Sequence, residues 1–246
     1  MLNKYSYFIS VLFWLITQDI QVFAAAVDVE NKPSLQRGAK LYMNYCSGCH
    51  SLKYLRYNRM AEGLGLVGFD GQVDDDLLKS NLIFTEATLT DPIRIALPPE
   101  DAKQWFGVVP PDLSLIAREK GPEWLFTYLK SFYSDNSRPF GTNNLLKPGV
   151  AMPNVLESLI GEVALEQDTK ECSAHLSWTK EGGLPQAHMD HLLQDLVTFL
   201  VYVGEPAQTV RYRLGWFVMA FLGVFLLVAI GLKKVYWKKI SGTKKI

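Results

Sequence analysis

Apolar residues recur at helical spacing in four stretches of this chain and run unbroken in a fifth. Leu35, Ala39, Tyr42, Cys46 and Cys49 fall on one side of a helix, which Pro33 precedes and Ser34 is placed to cap. Asp112, after Pro110-Pro111, reads as the N-cap of a second helix carrying Leu113, Ile116 and Ala117, stopped by Gly121. Pro122 opens a third, with Trp124, Leu125, Tyr128, Leu129 and Phe132 on one side. Leu192, Leu193, Leu196, Val197, Leu200 and Val203 mark a fourth, ended by Gly204 and Pro206. Strand signals are few, and 82–84 and 93–95 are at best short pieces. Residues 27–33 read as a linker. Residues 61–76, rich in Gly and Asp, read as a loop, and so does 134–154, whose length marks it as functional or disordered. The pattern predicts a mainly α fold with long loops.

The fifth stretch, 214–232, is 19 residues without a charge. At 1.5 Å per residue it covers about 28 Å, enough to cross the hydrocarbon of a bilayer. Arg211 and Arg213 flank it before, Lys233, Lys234, Lys238 and Lys239 after, and Trp216, Tyr236 and Trp237 stand where interfacial aromatics belong. The lysine-rich side is the cytoplasmic one by the positive-inside rule. Gly215, Gly223 and Gly231 recur every eight residues, a weak sign of a helix-packing face. At the other end, Lys4 precedes a short apolar core and the run Ala24-Ala25-Ala26. That is the layout of a cleaved secretory signal. The expected organisation is therefore a signal peptide at 1–26, an exported body at 27–210, a membrane anchor at 211–235 and a basic cytoplasmic tail at 236–246.

Composition adds two constraints. The formal net charge is zero, which disfavours nucleic-acid binding. The zero is a cancellation: residues 27–213 hold 24 acidic and 18 basic side chains, a net of −6, and the C-terminal end is basic. Three cysteines exclude a disulfide-built scaffold.

Two of those cysteines stand in Cys46-Ser47-Gly48-Cys49-His50, the pattern of c-type haem attachment. Two intervening residues let both thiols reach the vinyl groups on one porphyrin edge, and the next residue offers an imidazole to the iron. A redox dithiol does not need the histidine and lacks a strand-helix context here. Zinc needs more ligands at ligand spacing than Cys172, His175, His188 and His191 provide. For a sixth iron ligand the body offers Met43, Met60, Met152 and Met189. Met43 shares the attachment helix, Met60 is too near His50 in sequence, and Met189 reads as helix packing. Met152 sits in a loop stiffened by Pro148 and Pro153, suited to closing over the far face. The residues alone leave its role open between ligation and core filling.

Several segments resemble the cytochrome c1 family, the haem subunits of cytochrome bc1 complexes. They are Arg37-Gly38-Ala39 leading into the attachment motif, Ser51-Leu52-Lys53-Tyr54-Leu55-Arg56-Tyr57, Pro98-Pro99-Glu100-Asp101-Ala102, Pro110-Pro111-Asp112-Leu113-Ser114, Pro148-Gly149-Val150-Ala151-Met152-Pro153, and Asp195-Leu196-Val197 through Gly204-Glu205-Pro206-Ala207 into the membrane span. The resemblance implies one haem c held covalently by Cys46 and Cys49, with His50 and Met152 as axial metal ligands. It implies that Pro110 and Pro111 line the haem and that a basic residue, Arg118 or Lys120, meets a propionate. The family often has two arginines there; this chain has one arginine and one lysine. Some relatives carry an additional disulfide, for which Cys172 has no partner.

The implied work is a one-electron relay from a Rieske iron–sulfur protein to cytochrome c, beside cytochrome b in a bacterial cell membrane, with the haem domain in the periplasm. No catalytic acid, base or nucleophile is expected in the chain. The acidic body suits a basic cytochrome c, with Asp74, Asp75, Asp76, Glu86, Asp91, Glu100 and Asp101, or Glu162, Glu166, Asp168 and Glu171, as the patch. Two other readings are a stand-alone tethered cytochrome feeding a terminal oxidase and a haem sensor with an open sixth position. The first would not need the proline-rich segments or a glycine-faced span, and an absorption spectrum decides the second.

Overall fold

The computed structural model describes residues 27–168 and 173–242. The expected signal peptide, Cys172 and the last four residues lie outside the described residues. Helix α1 (Lys32–Leu41) continues through one π-turn, Tyr42–Cys46, into the attachment motif. Its cap is Asn31, whose side chain accepts the Ser34 N–H. The expectation of Ser34 as cap is corrected: Ser34 is buried, and its hydroxyl donates to Asp195 Oδ1 at 2.6 Å. Leu35, Ala39, Tyr42 and Cys46 are buried, as their spacing predicts.

Strand β1 (Leu52–Arg56) follows, then α2 (Tyr57–Leu64), α3 (Asp75–Asn81), the two-residue β2 (Pro92–Ile93) antiparallel to β1, and α4 (Pro99–Phe106). The segment expected as a loop at 61–76 therefore begins as the end of α2, with the left-handed Gly65 (φ 75°) as its C-cap. Asp74 is the N-cap of α3, accepting the Leu77 N–H at 2.9 Å, and Asp75 pairs with Lys79 at 2.6 Å. Two of the three acids in that run thus serve their own helix.

Next come α5 (Ile116–Lys120) and α6 (Pro122–Lys130). The first is shorter than expected. Asp112 does not cap it, because its carboxylate accepts Ser114 N–H and, across the chain, Lys53 N–H. Phe132, expected on the α6 face, belongs instead to β3 (Phe132–Ser134), which pairs with β4 (Thr142–Asn144) inside the segment expected as one long loop. After the four-residue α7 (Glu157–Ile160), an antiparallel hairpin of β5 (Gly161–Asp168) and β6 (Ser173–Glu181) forms. This hairpin corrects the expectation of few strands. Its residues are mostly polar, and the apolar alternation is confined to Val163, Leu165, Leu176 and Trp178. About half the described chain is helical, so the mainly α class stands.

The core is organised by α8 (Gln186–Gly204), against which α1, α5 and α6 all pack. Leu193, Leu196, Val197, Phe199 and Leu200 are buried there with Leu35, Ala39 and Tyr42 of α1. Helix α9 (Gln208–Gly242) is one continuous element. Residues Gln208–Ile240 are long and apolar enough to cross a membrane, and none of their apolar window is buried inside the chain. Nothing lies within 4 Å of where a side chain would start at Gly215, Gly223 or Gly231.

Candidate haem-binding site

The π-turn sets the geometry of the attachment motif. Ser47 N–H bonds back to Tyr42 O at 2.9 Å, one residue further than an α-helix allows, and both Cys49 and His50 N–H groups return to Cys46 O. The chain thus turns sharply while the two cysteines stay close to the helix end. Both are unpaired; Cys46 is buried and Cys49 partly so. Burial, with a smaller contribution from Cys49, pushes the Cys46 thiol up to about 12.

His50 is held at both ends. Its backbone carbonyl accepts the Tyr42 hydroxyl at 2.5 Å, and its Nδ1 lies 2.7 Å from Pro111 O. Proline has no N–H to offer, so Pro111 contributes only an acceptor, and Nδ1 must be the protonated nitrogen. Burial lowers the imidazole's pKa, against smaller raising effects of Pro111 and Asp112. The ring is therefore neutral near pH 7 with its lone pair on Nε2, the form a metal takes.

The segment bearing Pro111 is fixed by a ladder of contacts to the strand after the motif. Leu113 N–H bonds Ser51 O at 2.9 Å, Lys53 N–H bonds Asp112 Oδ2 at 3.0 Å, and Tyr54 N–H bonds Ser114 Oγ at 3.2 Å. Ser51 and Ser114 are buried, and Ser51 Oγ also accepts Ile95 N–H. Residue spacing offers no hint of this ladder. A signal was present in Asp112 and Ser114, short polar residues able to bond to backbone at a position where a core helix was expected.

A second group forms along α6. Lys120, just before it, has Nζ 5.9 Å from the Trp124 ring centre. Trp124 stacks on Tyr128 at 5.0 Å and 8°, and Tyr128 meets Phe132 edge-on at 5.2 Å. The Tyr128 hydroxyl, pushed up to about 12 by burial, donates to Met152 Sδ at 3.6 Å. Met152 is half-buried, whereas Met43, Met60 and Met189 lie in the apolar core. Arg118 points elsewhere: Nη1 is 4.0 Å from Glu205 Oε2, and its stem packs at Gly204. Arg211 holds the same carboxylate through two contacts at 2.5 and 3.0 Å. The structure thus joins His50 with Pro111, Met152 with Tyr128, and Lys120 with Trp124, and it separates Arg118 from Lys120. Pro110 adds no polar contact of its own. Among the described residues, no group of three or more His, Cys, Asp or Glu side chains is arranged to hold a metal ion.

Two free thiols with two residues between them, followed by a neutral imidazole whose Nδ1 is already satisfied, fit a covalently attached haem. Comparison with known proteins agrees. The model of the Cytochrome C1 family matches residues 22–240. The chain is 45% identical over 223 residues to the cytochrome c1 of Allochromatium vinosum, covering 88% of each chain. It is 41% identical to a Nitrosomonas europaea protein named ammonia monooxygenase gamma subunit, covering 91% of this chain and 90% of that one. It is 29% identical to the mitochondrial cytochrome c1 haem protein of Kluyveromyces lactis, covering 86% and 72%.

Proposed function

The chain belongs to the cytochrome c1 family, and from that premise we propose that it takes single electrons from a Rieske iron–sulfur protein and passes them to a cytochrome c. It is an electron-carrying haem subunit of the bc1 type with one covalently bound haem c. The haem supplies one-electron ferric–ferrous chemistry. The remaining work is done by the chain's own residues, in the roles proposed next.

Cys46 and Cys49 would hold the porphyrin covalently. His50 would bind the iron through Nε2, with Pro111 O fixing the imidazole's orientation and tautomer. Met152 would be the second iron ligand; it is the one methionine of the body outside the apolar core. Pro110 and Pro111 would lie against the haem. A propionate would be met by Arg118, which faces Glu205 at 4.0 Å, or by Lys120, which pairs with Glu119 at 2.9 Å beside Trp124. The body stands in the periplasm after removal of residues 1–26, α9 anchors it, and its lysine-rich end lies in the cytoplasm beside cytochrome b.

The observation that carries this reading is the 2.7 Å contact of His50 Nδ1 with Pro111 O beside two free thiols. Two measurements test it. Acidified acetone should leave the pigment on the denatured chain. Mild-detergent purification from native membranes should bring cytochrome b and an iron–sulfur protein with it, in a fraction that reduces cytochrome c with quinol. Extractable haem would remove the covalent site. Purification as a solitary cytochrome that oxidase alone turns over would favour the tethered-donor reading instead.

A further inference from the structure

The loop that bears Met152 is tied down by one fully buried amide. Asn144, the last residue of β4, has no exposed surface. Its Oδ1 accepts the backbone N–H of Leu146 at 2.9 Å and of Lys147 at 3.0 Å, with Ser131 Oγ at 3.3 Å. Its Nδ2 donates to the carbonyl of Tyr128 at 2.8 Å. We propose that Asn144 is the positioning residue for the sixth iron ligand, fastening the Met152 loop to α6 at the residue whose hydroxyl meets the ligand sulfur. The proposal rests on the reading of Met152 as that ligand.

The chemistry of the amide is specific. An amide does this with its two ends, the oxygen accepting from two consecutive backbone N–H groups while the nitrogen donates to a carbonyl. Aspartate lacks the donor, and leucine lacks both functions. Asn143 extends the frame: its Oδ1 accepts Gly149 N–H at 2.8 Å and Asn144 N–H at 2.9 Å, and its Nδ2 donates to Asp135 Oδ2 at 2.9 Å. Backbone N–H groups at 146, 147 and 149 are thus pinned by two neighbouring side chains, three residues before Met152. The other end of the frame is equally fixed, because the Tyr128 ring is held between Trp124 and Phe132.

A thioether is a neutral, weak ligand, so its retention depends on how little entropy the loop loses on closing. Asn144 restricts that entropy in advance. A purely structural asparagine would matter to melting; one that positions a ligand must also matter to the iron.

The test uses the full haem-loaded chain in detergent. The readouts are the far-red sulfur-to-iron band of the ferric form, carbon monoxide binding to the ferrous form, covalently retained haem and thermal unfolding. Asn144→Ala should keep its haem, weaken the band and bind carbon monoxide at least tenfold faster, which is about 1.4 kcal/mol of loop closure. Asn144→Asp, keeping the acceptors alone, should fall between wild type and Asn144→Ala. Tyr128→Phe should shift the band and leave carbon monoxide excluded. If Asn144→Ala melts earlier with the band and gas binding unchanged, its role is structural and the proposal fails. If that variant does not assemble, Asn143→Ala, which frees the N–H groups of Gly149 and Asn144 and the Asp135 carboxylate, must itself speed gas binding; an unchanged rate there also overturns the idea. A band that survives Met152→Leu removes the ligand reading itself, whatever Asn144 does.

Discussion

Replacing Gly38 by alanine should destabilise the body and loosen the helix that carries the haem cysteines. A Cβ at this position would stand 2.1 Å from Asp195 O and 2.7 Å from Phe199 Cβ. The nearer atom is backbone in the middle of α8, so it cannot rotate away. Ordinary contact needs about 3.4 Å or more between such atoms, so α1 and α8 must part by about 1 Å. Separation would also strain the contacts that lock the pair, Arg37 to Asp195 at 2.5 and 2.9 Å and Ser34 Oγ to Asp195 at 2.6 Å. Overpacking of this kind costs about 1–3 kcal/mol, and weakening these three hydrogen bonds adds about 1 kcal/mol. Alanine gains about 1 kcal/mol over glycine in helix propensity. The clash wins, with a net loss of about 1–3 kcal/mol. At about 2–4 °C per kcal/mol for a body of this size, Tm should fall by roughly 2–12 °C. The measurement is thermal unfolding of the haem-loaded protein, followed by far-ultraviolet dichroism and by the Soret band together. Gly38→Val should fall further than Gly38→Ala. An alanine variant as stable as the parent would refute the close crossing of α1 on α8, and with it the account of how the attachment helix is held.

Asp195 should matter more than Arg37. Asp195 is buried while Arg37 is largely exposed, so Arg37→Ala should cost about 1 kcal/mol and Asp195→Ala, which also orphans Ser34, about 2–3 kcal/mol in urea unfolding; equal effects would count against the network. Glu205 has its pKa lowered chiefly by its hydrogen bond to Arg211, with Arg118 contributing. Its contribution is present above the ordinary glutamate pKa and is lost as pH falls through the lower folded value. Backbone amides at 204–211 should therefore exchange faster in acid, and Glu205→Gln should erase that pH dependence; exchange equally pH-dependent in the variant would sink the assignment. The net −6 of residues 27–213 predicts that turnover with a basic cytochrome c slows as salt rises, since the Debye length is only about 8 Å at physiological strength. Rates independent of salt would remove electrostatic steering from the description.

The attachment motif was legible in sequence because covalent chemistry imposes rigid spacing. Cys46, Cys49 and His50 are close in the chain, and no tertiary rearrangement can change what that spacing permits. The helices that bury one face were legible for a related reason: Leu35, Ala39 and Tyr42, or Leu193, Leu196 and Leu200, repeat every turn and lie in the core. What escaped was structure held by side chain to backbone bonds. Asp112 carries an N-cap signal, and it does accept a backbone N–H two residues on, but its second oxygen reaches β1 and the helix starts later. Asn143 and Asn144 read as loop residues, and they do hold a loop, yet they also form β4. The β5–β6 hairpin was hidden because its two strands carry Glu162, Glu166, Ser177 and Thr179 on exposed or half-exposed positions, leaving too little apolar alternation to recognise. Ser177 Oγ bonds Glu166 Oε1 at 2.6 Å across the pair, so polar cross-strand contacts do work that apolar pairs usually do.

On the proposed reading of His50 and Met152 as iron ligands, α8 is a common support for the segments that bear them. Fast single-electron transfer needs ligands that move little between ferric and ferrous iron, so each ligand-bearing segment has to be fixed by something other than the metal. On one side α1 is clamped to α8 at Gly38 and Asp195, and the imidazole it delivers is oriented by Pro111 O. On the other side α6 packs on the same helix, and the Met152 loop hangs from α6 through Asn144 and Tyr128. Both sides therefore refer their positions to one element rather than to each other. That element ends at Gly204, where Glu205 is held by Arg211 of the membrane helix and faces Arg118 of α5. Glu205 thus joins α5, the end of α8 and α9 at one carboxylate, and on the proposed reading of His50 and Met152 as iron ligands both would share that support.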